Sequence, residues 1–427
     1  MLKYCAIFFI LLSFQFAQCQ NKGAKEQDSI KSQNDSIRRS QFLKKLGNGY
    51  ITLGQAFEVD IKYLFKYNQH EAIRTGFGGV TNDEFSKRYH LDGYGAYGFG
   101  DQKFKYSLGG GFRLAPKSNT WIDLSYTDDI EETGSSTFLT DKRFFTFFQP
   151  RLLNIELFHR HVTKSISISH KLSPKLLSEV KLAVSNINPT YDYTLQVGNK
   201  SYQDFDLTFS TFSFQWSPFS IYEFKDDVLK EVKNGYPKFT LQYTQNFRNV
   251  FASEFDFSKV EFRSVYVLEH KNKSKTGVNL WAGIARGVTP LTHMYHAYPN
   301  NINKGSVMKR FSVAGINSFE TMFFNEFFSD KLSTLQIKHY FKPFEISPRY
   351  QPQLVLISRF ALGNMSNIER HQGFEFDTLD KGYSEIGLEL NKILFPFGLS
   401  FAYRYGAYHL PNFEDNLAFK FTFNLTL

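Results

Sequence analysis

Two histidines with the spacing of a metal-binding pair lie in one predicted strand. His159 and His161 are separated by a single residue, so in an extended strand both imidazoles point to the same side. Imidazole is a common zinc ligand, but a zinc site needs three or four protein ligands. The sequence nominates no third ligand. We therefore interpret both as polar residues lining an interior or a rim, and we predict no metal and no other cofactor.

Two further motifs match a cofactor-binding or a catalytic signature in part of their residue types, but not in their predicted structural context. Gly93-Tyr-Gly-Ala-Tyr-Gly98 matches a dinucleotide fingerprint, which requires a buried strand before it and a helix starting at its glycines. The residues around it are tyrosine-rich and alternate with period two, so glycines that allow close packing in a sheet are the simpler interpretation. His293-Met-Tyr-His296 lacks the glutamate and helical frame of a metalloprotease motif.

The sequence also contains no Gly-x-Ser-x-Gly elbow and no phosphate loop. We predict that the protein is not an enzyme, and we assign no catalytic, cofactor-binding or metal-binding residue. A hydrolase stays open as an alternative, because its catalytic residues would converge only in space.

Charged residues near the C-terminus fall on the polar sides of predicted strands. Glu385, Glu389, Arg404 and Lys420 could form a ladder of charges across the last three strands. Such a ladder is costly in lipid and acceptable in a wet interior. We expect these side chains to neutralise one another, without a functional role.

Strict alternation of apolar and polar residues is the main structural signal of the chain. Over residues 417–427 every odd position is Leu or Phe, while the even positions are Ala, Lys, Thr, Asn and Thr. Because successive side chains of a strand face opposite sides, this strand has one apolar and one polar face. The same pattern recurs over residues 383–391, 397–406 and 103–113. Near Ser210-Thr211 the apolar parity changes, which predicts a β-bulge.

The composition agrees with a sheet that faces lipid on one side and water on the other. Aromatic residues form 18% of the 427 residues, with 48 Phe and 24 Tyr, yet the mean hydropathy is only −0.34. No stretch of about 18 consecutive apolar residues follows the N-terminus, so we expect no transmembrane helix. We predict an all-β fold: a transmembrane, antiparallel, up-and-down β-barrel of about 16 strands (14–18). The net charge of +9 is scattered along the chain, which argues against nucleic-acid binding.

The N-terminus has the form of a secretory signal. A positive residue and a short apolar run over residues 4–16 precede Ala17-Gln18-Cys19, so we expect cleavage before Gln20. Retention and acylation of Cys19, as in a lipoprotein, stays open. Cys5 is the only other cysteine, so the mature chain is expected to lack thiols. Disulfides, cysteine-ligated zinc and cysteine nucleophiles are then excluded.

Three regions follow from these patterns. Residues 1–19 are the signal peptide, residues 20–48 form a polar periplasmic lead-in that we expect to be disordered, and residues 49–427 form the barrel. Within the barrel we predict long loops at 141–158, 219–235 and 289–312, the second with a short helix over 226–232. Residues 321–328 are apolar on both faces and fit no barrel strand.

Several stretches of the chain resemble an uncharacterised outer-membrane barrel domain family. In Gram-negative bacteria this domain usually follows a carboxypeptidase-regulatory-like domain. The matching stretches lie in the family's order over most of residues 50–427: Glu71-Ala-Ile-Arg-Thr-Gly-Phe-Gly, Tyr94-Gly-Ala-Tyr-Gly-Phe-Gly-Asp, Lys105-Tyr, Asn234-Gly-Tyr-Pro-Lys-Phe-Thr-Leu-Gln-Tyr-Thr, Asn325-Glu-Phe-Phe-Ser-Asp and Tyr403-Arg-Tyr-Gly-Ala-Tyr-His-Leu-Pro-Asn-Phe-Glu-Asp-Asn-Leu-Ala-Phe-Lys. The resemblance implies an outer-membrane barrel without an established activity. About 30 residues before the barrel cannot make the preceding domain.

Three functions remain open from the sequence. The first is a structural or assembly-type component of the outer membrane that works with a partner, the second is a transport pore, and the third is the barrel-embedded hydrolase. The expected partners are outer-membrane lipid and lipopolysaccharide, together with a protein in the periplasm or at the cell surface. The expected location is the cell outer membrane.

Overall fold

The computed structural model of the protein describes residues 49–141, 150–153, 155–225, 228–302, 312–347, 350–394 and 397–423. The predicted signal peptide and lead-in, residues 1–48, lie outside these ranges, and so do residues 424–427 of the predicted last strand. The described chain consists of β-strands, their connections and five short 3-10 helices. None of the helices in these ranges is long and apolar enough to cross a bilayer.

The strands, in chain order, are β1 (Tyr50–Leu53), β2 (Phe57–Asp60), β3 (Phe65–Asn68), β4 (Ala72–Thr81), β5 (Tyr89–Gly98), β6 (Lys103–Ala115), β7 (Thr120–Glu132), β8 (Phe158–Ser173), β9 (Leu176–Pro189), β10 (Thr194–Val197), β11 (Lys200–Tyr202), β12 (Phe205–Trp216), β13 (Ile221–Lys225), β14 (Val228–Lys233), β15 (Lys238–Asn246), β16 (Phe257–Glu269), β17 (Lys275–Gly287), β18 (Pro299–Asn301), β19 (Ser312–Val313), β20 (Phe319–Phe323), β21 (Lys331–Tyr340), β22 (Gln353–Asn364), β23 (His371–Gln372), β24 (Tyr383–Leu394), β25 (Phe397–Tyr405) and β26 (Leu417–Phe423). The 3-10 helices are Ile61–Tyr63, Pro150–Leu153, Leu291–His293, Ile368–Arg370 and Phe413–Asn416.

Nineteen of these strands form one large sheet, in which nearly every pairing is antiparallel. Strands β4 to β9 pair in sequence order, and the sheet continues through β12, β15, β16, β17, β21, β22, β24, β25 and β26. This order confirms the predicted up-and-down arrangement. The nineteen strands of the sheet exceed the expected number of about sixteen. Four of them have four residues or fewer, which is too short for a period-two pattern to be recognised in the sequence: β1, β2, β3 and β19.

The two faces of the long strands differ as the alternation predicts. On β26, Phe421 is 43% exposed, while the neighbouring Lys420 and Thr422 are buried. On β6, Phe104 and Leu108 are exposed and Lys105 is buried. One face of the sheet therefore carries apolar side chains open to the surroundings, and the other encloses polar and charged ones.

The sequence predicts a barrel, but within the described residues the last strand does not close it by pairing with the first strand. On one side β26 pairs with β25, and on the other it pairs in parallel with β19. The Ala314 N–H also donates to the carbonyl oxygen of Phe421 at 2.7 Å. The segment that occupies this edge belongs to the long connection between β17 and β21.

The β-bulge predicted near Ser210-Thr211 is wrong. Strand β12 keeps a continuous register with β9 from Phe205 to Trp216 and with β15 from Phe209 to Trp216. The apolar residues change face because the two ends of the strand have different surroundings. Leu207 is fully buried in an interior hydrophobic cluster, whereas Phe214 is 38% exposed on the other face.

Other segments also differ from the expectations for loops. The predicted helix over 226–232 is wrong where the chain is described, since β13 and β14 form a hairpin there. Residues 321–323, the start of the stretch that fits no barrel strand, belong to β20, a mostly buried strand that pairs with β18 and lies outside the large sheet. The glycines of the dinucleotide-like motif lie inside β5. A Cβ atom on Gly93 would lie 2.8 Å from the carbonyl oxygen of Ser107 on β6, so close strand packing accounts for glycine there.

Candidate functional site

The connection between β17 and β21 folds back against the polar face of the sheet. We call residues 288–330 the luminal segment; the structure describes 288–302 and 312–330 of it. Leu291, Phe319 and Met322 in this segment are fully buried. They join a hydrophobic cluster with Tyr193, Leu195, Phe205, Leu207 and other residues of the sheet and its connections. Apolar burial of this kind holds the segment in place.

Glu320 is the charged centre of the luminal segment. Its carboxylate accepts hydrogen bonds from the Ser318 hydroxyl at 2.7 Å, the Asn300 amide at 2.8 Å and the Gly315 N–H at 3.0 Å. Lys420 of β26 adds an ion pair, with Nζ 3.2 Å from Oε2. Burial opposes ionisation, but the Lys420 and Arg359 cations hold the pKa of Glu320 below its ordinary value. The carboxylate is therefore ionised at neutral pH.

A second carboxylate, on the sheet itself, binds the backbone of the same segment. Glu385 of β24 is fully buried and forms an ion pair with Arg359 of β22. Its oxygens also accept the N–H groups of Thr321 at 2.7 Å and Glu320 at 3.2 Å. The Thr321 hydroxyl contacts Tyr383 Oη at 2.7 Å. A buried carboxylate satisfied in this way fixes the position of the strand that it binds.

The four charges predicted to form a ladder all lie on the enclosed face, but they do not neutralise one another. Glu385 pairs with Arg359, and Lys420 pairs with Glu320. Arg404 Nη2 lies 2.7 Å from Glu326 of the luminal segment, and Glu389 lies 4.0 Å from Lys338 of β21. The ladder as predicted is wrong because the inserted segment, which no strand pattern reveals, supplies the partners of Arg404 and Lys420, while Glu385 and Glu389 pair with residues of β22 and β21.

The predicted histidine pair acquires a third imidazole. His159 and His161 lie on one face of β8 with ring centroids 6.4 Å apart. His293 of the luminal segment approaches His159 to 6.1 Å. As the side chains stand, no three His, Cys, Asp or Glu residues in the described ranges are arranged to hold a metal ion. His296 is directed elsewhere, with Nε2 2.9 Å from a carboxylate oxygen of Glu132.

A cleft of about 1230 Å³ opens at the end of the sheet that carries the longer connections, which we call the loop end. Part of its wall is the luminal segment, and the rest comes from the connections β7–β8, β22–β24 and β25–β26. The lining combines aromatic and acidic side chains, among them Phe323, Phe324, Phe374, Phe413, Glu156, Glu326, Glu375 and Glu414.

A large antiparallel sheet with an apolar outer face and an enclosed charged face defines the protein as an outer-membrane β-barrel. A segment of the chain is inserted against the charged face. Residues 47–285, more than half of the chain, match the family of unknown function DUF5686, C-terminal domain. The chain belongs to this family. No curated protein sequence is detectably similar to it.

A solved outer-membrane barrel has the same kind of fold. BamA from Haemophilus ducreyi lacking POTRA domains 1–3 superimposes with a TM-score of 0.51 at 10% identity, over 95% of this chain and 79% of that one. CdiB from Escherichia coli gives a TM-score of 0.46 at 8% identity, over 83% and 60% of the two chains. CdiB from Acinetobacter baumannii gives 0.43 at 9% identity, over 83% and 57%. The chain thus spans less than two thirds of the CdiB chains.

Proposed function

We propose that the protein is an integral outer-membrane barrel whose interior is occupied by its own luminal segment. In this proposal it acts as a structural or assembly-type component with a protein partner, and not as an open pore. The observation that carries the proposal is the double attachment of the segment, through Glu320 to Lys420 and through Glu385 to the Thr321 and Glu320 amides. A segment held by buried charges obstructs the interior, and separating them would leave unpaired charge behind.

The exposed apolar rows support residence in the membrane. Side chains such as Phe104, Leu108, Leu124 and Phe401 are more than two-fifths exposed on the outer face, which suits contact with outer-membrane lipid and lipopolysaccharide. In bacterial barrels the longer connections lie outside the cell, so we assign the loop end to the cell surface. Export would use the cleavable signal peptide that ends at Cys19.

The cleft at the loop end supports contact with a partner from outside. Its phenylalanine rings and carboxylates are displayed together on a recessed surface. Aromatic side chains are common anchors of protein interfaces. A protein partner at the cell surface therefore fits this end, and a periplasmic partner would have to use the opposite one.

Single-channel recording in planar bilayers tests the occupied interior. We expect the full-length protein to insert without stable openings, because the luminal segment stays attached. Glu320→Gln keeps the side-chain shape but leaves Lys420 without its counter-charge, so this variant should show openings. Openings of the variant would also show that the preparation inserts into the bilayer and that the recording detects open channels, so that silence of the wild-type protein can be interpreted.

Sized, ion-selective openings of the wild-type protein would contradict the proposal and favour the transport pore. Silence of both proteins, with insertion verified by protease protection, would mean that loss of the Glu320 charge does not release the segment. In that case the ion pair does not hold the segment in place. The proposal of an occupied interior would then lose the observation on which it depends.

A further inference from the structure

Three imidazoles from two distant parts of the chain meet inside the barrel. His159 and His161 belong to β8, and His293 belongs to the 3-10 turn of the luminal segment, with centroid distances of 6.4 and 6.1 Å from His159. Phe209 and Phe257 flank His293, with ring centroids 6.3 and 5.9 Å from its own. The cluster thus lies where the inserted segment contacts the wall.

Each of the three rings is oriented by a threonine hydroxyl on the same ring nitrogen. Thr163 Oγ1 lies 2.8 Å from Nδ1 of His161, and Thr292 Oγ1 lies 2.9 Å from Nδ1 of His293. Thr133 Oγ1 is 3.4 Å from Nδ1 of His159. None of the three Nε2 atoms makes a hydrogen bond within the described ranges. Metal-ligating histidines typically use one nitrogen for the metal and engage the other in an outer hydrogen bond.

The charged groups around the three histidines affect whether the imidazoles are protonated. Burial and the nearby Lys259 ammonium lower the pKa of His293 to about 3, so this imidazole is neutral at pH 7 and has a lone pair to offer. Lys259 itself lies 3.7 Å from Glu261, which offsets its charge. Opposite the pair on β7, Glu131 is in register with His159 and Asp129 with His161, and Asp129 is bound to Arg74.

We propose that His159, His161 and His293 form a binding site for a divalent transition-metal ion such as Zn²⁺. The three Nε2 atoms are the protein ligands, and a water molecule takes the fourth position. Zn–N bonds of about 2.0–2.1 Å require rings closer together than they stand here, so binding turns the rings toward one another about their side-chain torsions. The inference is independent of the proposed function, although a bound ion would tie the luminal segment to β8.

The test measures Zn²⁺ affinity of the full-length protein, purified without a histidine tag and held in detergent, by competition with a chromogenic chelator. His270 and His339, whose rings are 5.7 Å apart at another place, are first replaced by alanine so that they cannot contribute. We expect one ion per chain and, with Co²⁺, the visible absorption of a low-coordinate imidazole site. His161→Ala and His293→Ala should each weaken binding more than about 100-fold, beyond the effect typical of outer-shell partners.

Two further variants distinguish a loss of Zn²⁺ affinity caused by altered coordination from one caused by misfolding. Thr163→Val and Thr292→Val keep all three imidazoles and should weaken Zn²⁺ binding by about 10–100-fold. His409→Ala, at an exposed position, is the matched control and should bind like the parent. All variants are first checked for a folded barrel by their mobility on unheated gels. No ion bound to the parent, or the same affinity in the alanine and valine variants as in the parent, would overturn the proposal.

Discussion

Lys420 on the last strand and Glu320 on the luminal segment form a buried ion pair, each side chain being 1% exposed. The two residues are one hundred positions apart, and their contact joins the strand at one end of the sheet to the segment inside it. Lys420 Nζ also donates to the carbonyl oxygen of Asn300 in the same segment. The last strand is therefore held from its enclosed side as well as by its ladder with β25.

Removing one partner of this pair is expected to destabilise the protein strongly. Lys420→Met leaves the Glu320 carboxylate buried without its cation, which typically costs about 3–5 kcal/mol. Denaturant unfolding in detergent measures the change. Lys275→Met is the control, because its pair with Glu269 is largely exposed and its loss should leave the unfolding midpoint unchanged. Equal midpoints for Lys420→Met and the parent would refute a stabilising role for the pair.

The assignment of faces predicts opposite outcomes for arginine at adjacent positions of β8. Ile166 is 40% exposed on the outer face and lies opposite the exposed Leu124 and Leu182. Arginine on the lipid face near the membrane centre costs about 2–4 kcal/mol, so Ile166→Arg should sharply reduce the folded fraction in lipid vesicles. Ser167→Arg faces the interior and should fold nearly as well as the parent, as read from heat-dependent gel mobility. Similar folded fractions for the two arginine variants would show that the assignment of the outer and inner faces is wrong.

The corresponding pair on β26 is less suitable for this test. Phe421→Arg still introduces a charge at an exposed outer position. The enclosed Thr422, however, is buried and donates a hydrogen bond to Asn391 Oδ1 at 2.6 Å. An arginine there would have to displace neighbours, so its effect would not isolate the polarity of the face.

Acidification should loosen the luminal segment. Burial lowers the pKa of His293 to about 3 and that of His371, on the loop-end strand β23, to about 4, from 6.5. Because their folded values are depressed, the unfolded chain binds more protons, and stability falls as pH drops below 6.5. The slope is at most about 1.4 kcal/mol per pH unit for each histidine.

Hydrogen exchange of the luminal segment between pH 7 and pH 5 measures this dependence. His371→Asn should flatten the pH profile while leaving a folded barrel, because its main polar partner is the Tyr193 hydroxyl at 2.9 Å. A profile that does not respond to pH in the parent would contradict the buried, neutral state of these rings.

The mature protein is predicted to begin at Gln20 and to contain no cysteine. Mass spectrometry of protein isolated from outer membranes, together with thiol labelling after denaturation, decides this. A labelled thiol, or an acylated Cys19 at the N-terminus, would establish the lipoprotein alternative.

The amino-acid sequence by itself determined the all-β class and the direction of most side chains. Period-two alternation is a local property of a strand that faces lipid on one side, so it can be recognised without knowing any neighbour. This is why the rows around Phe421 and Phe104, and the enclosed position of Lys420, were predicted correctly.

Tertiary structure alone decided what fills the enclosed face. The luminal segment is irregular, so no periodicity predicts where it lies, and its contacts join residues far apart in the chain. It paired Arg404 with Glu326 and Lys420 with Glu320, brought His293 to the histidine pair, and joined Leu207 on the inner face of β12 in one buried hydrophobic cluster. Long-range contacts satisfy buried charge only where the folded chain brings opposite groups together, and that placement is not a local property of any strand.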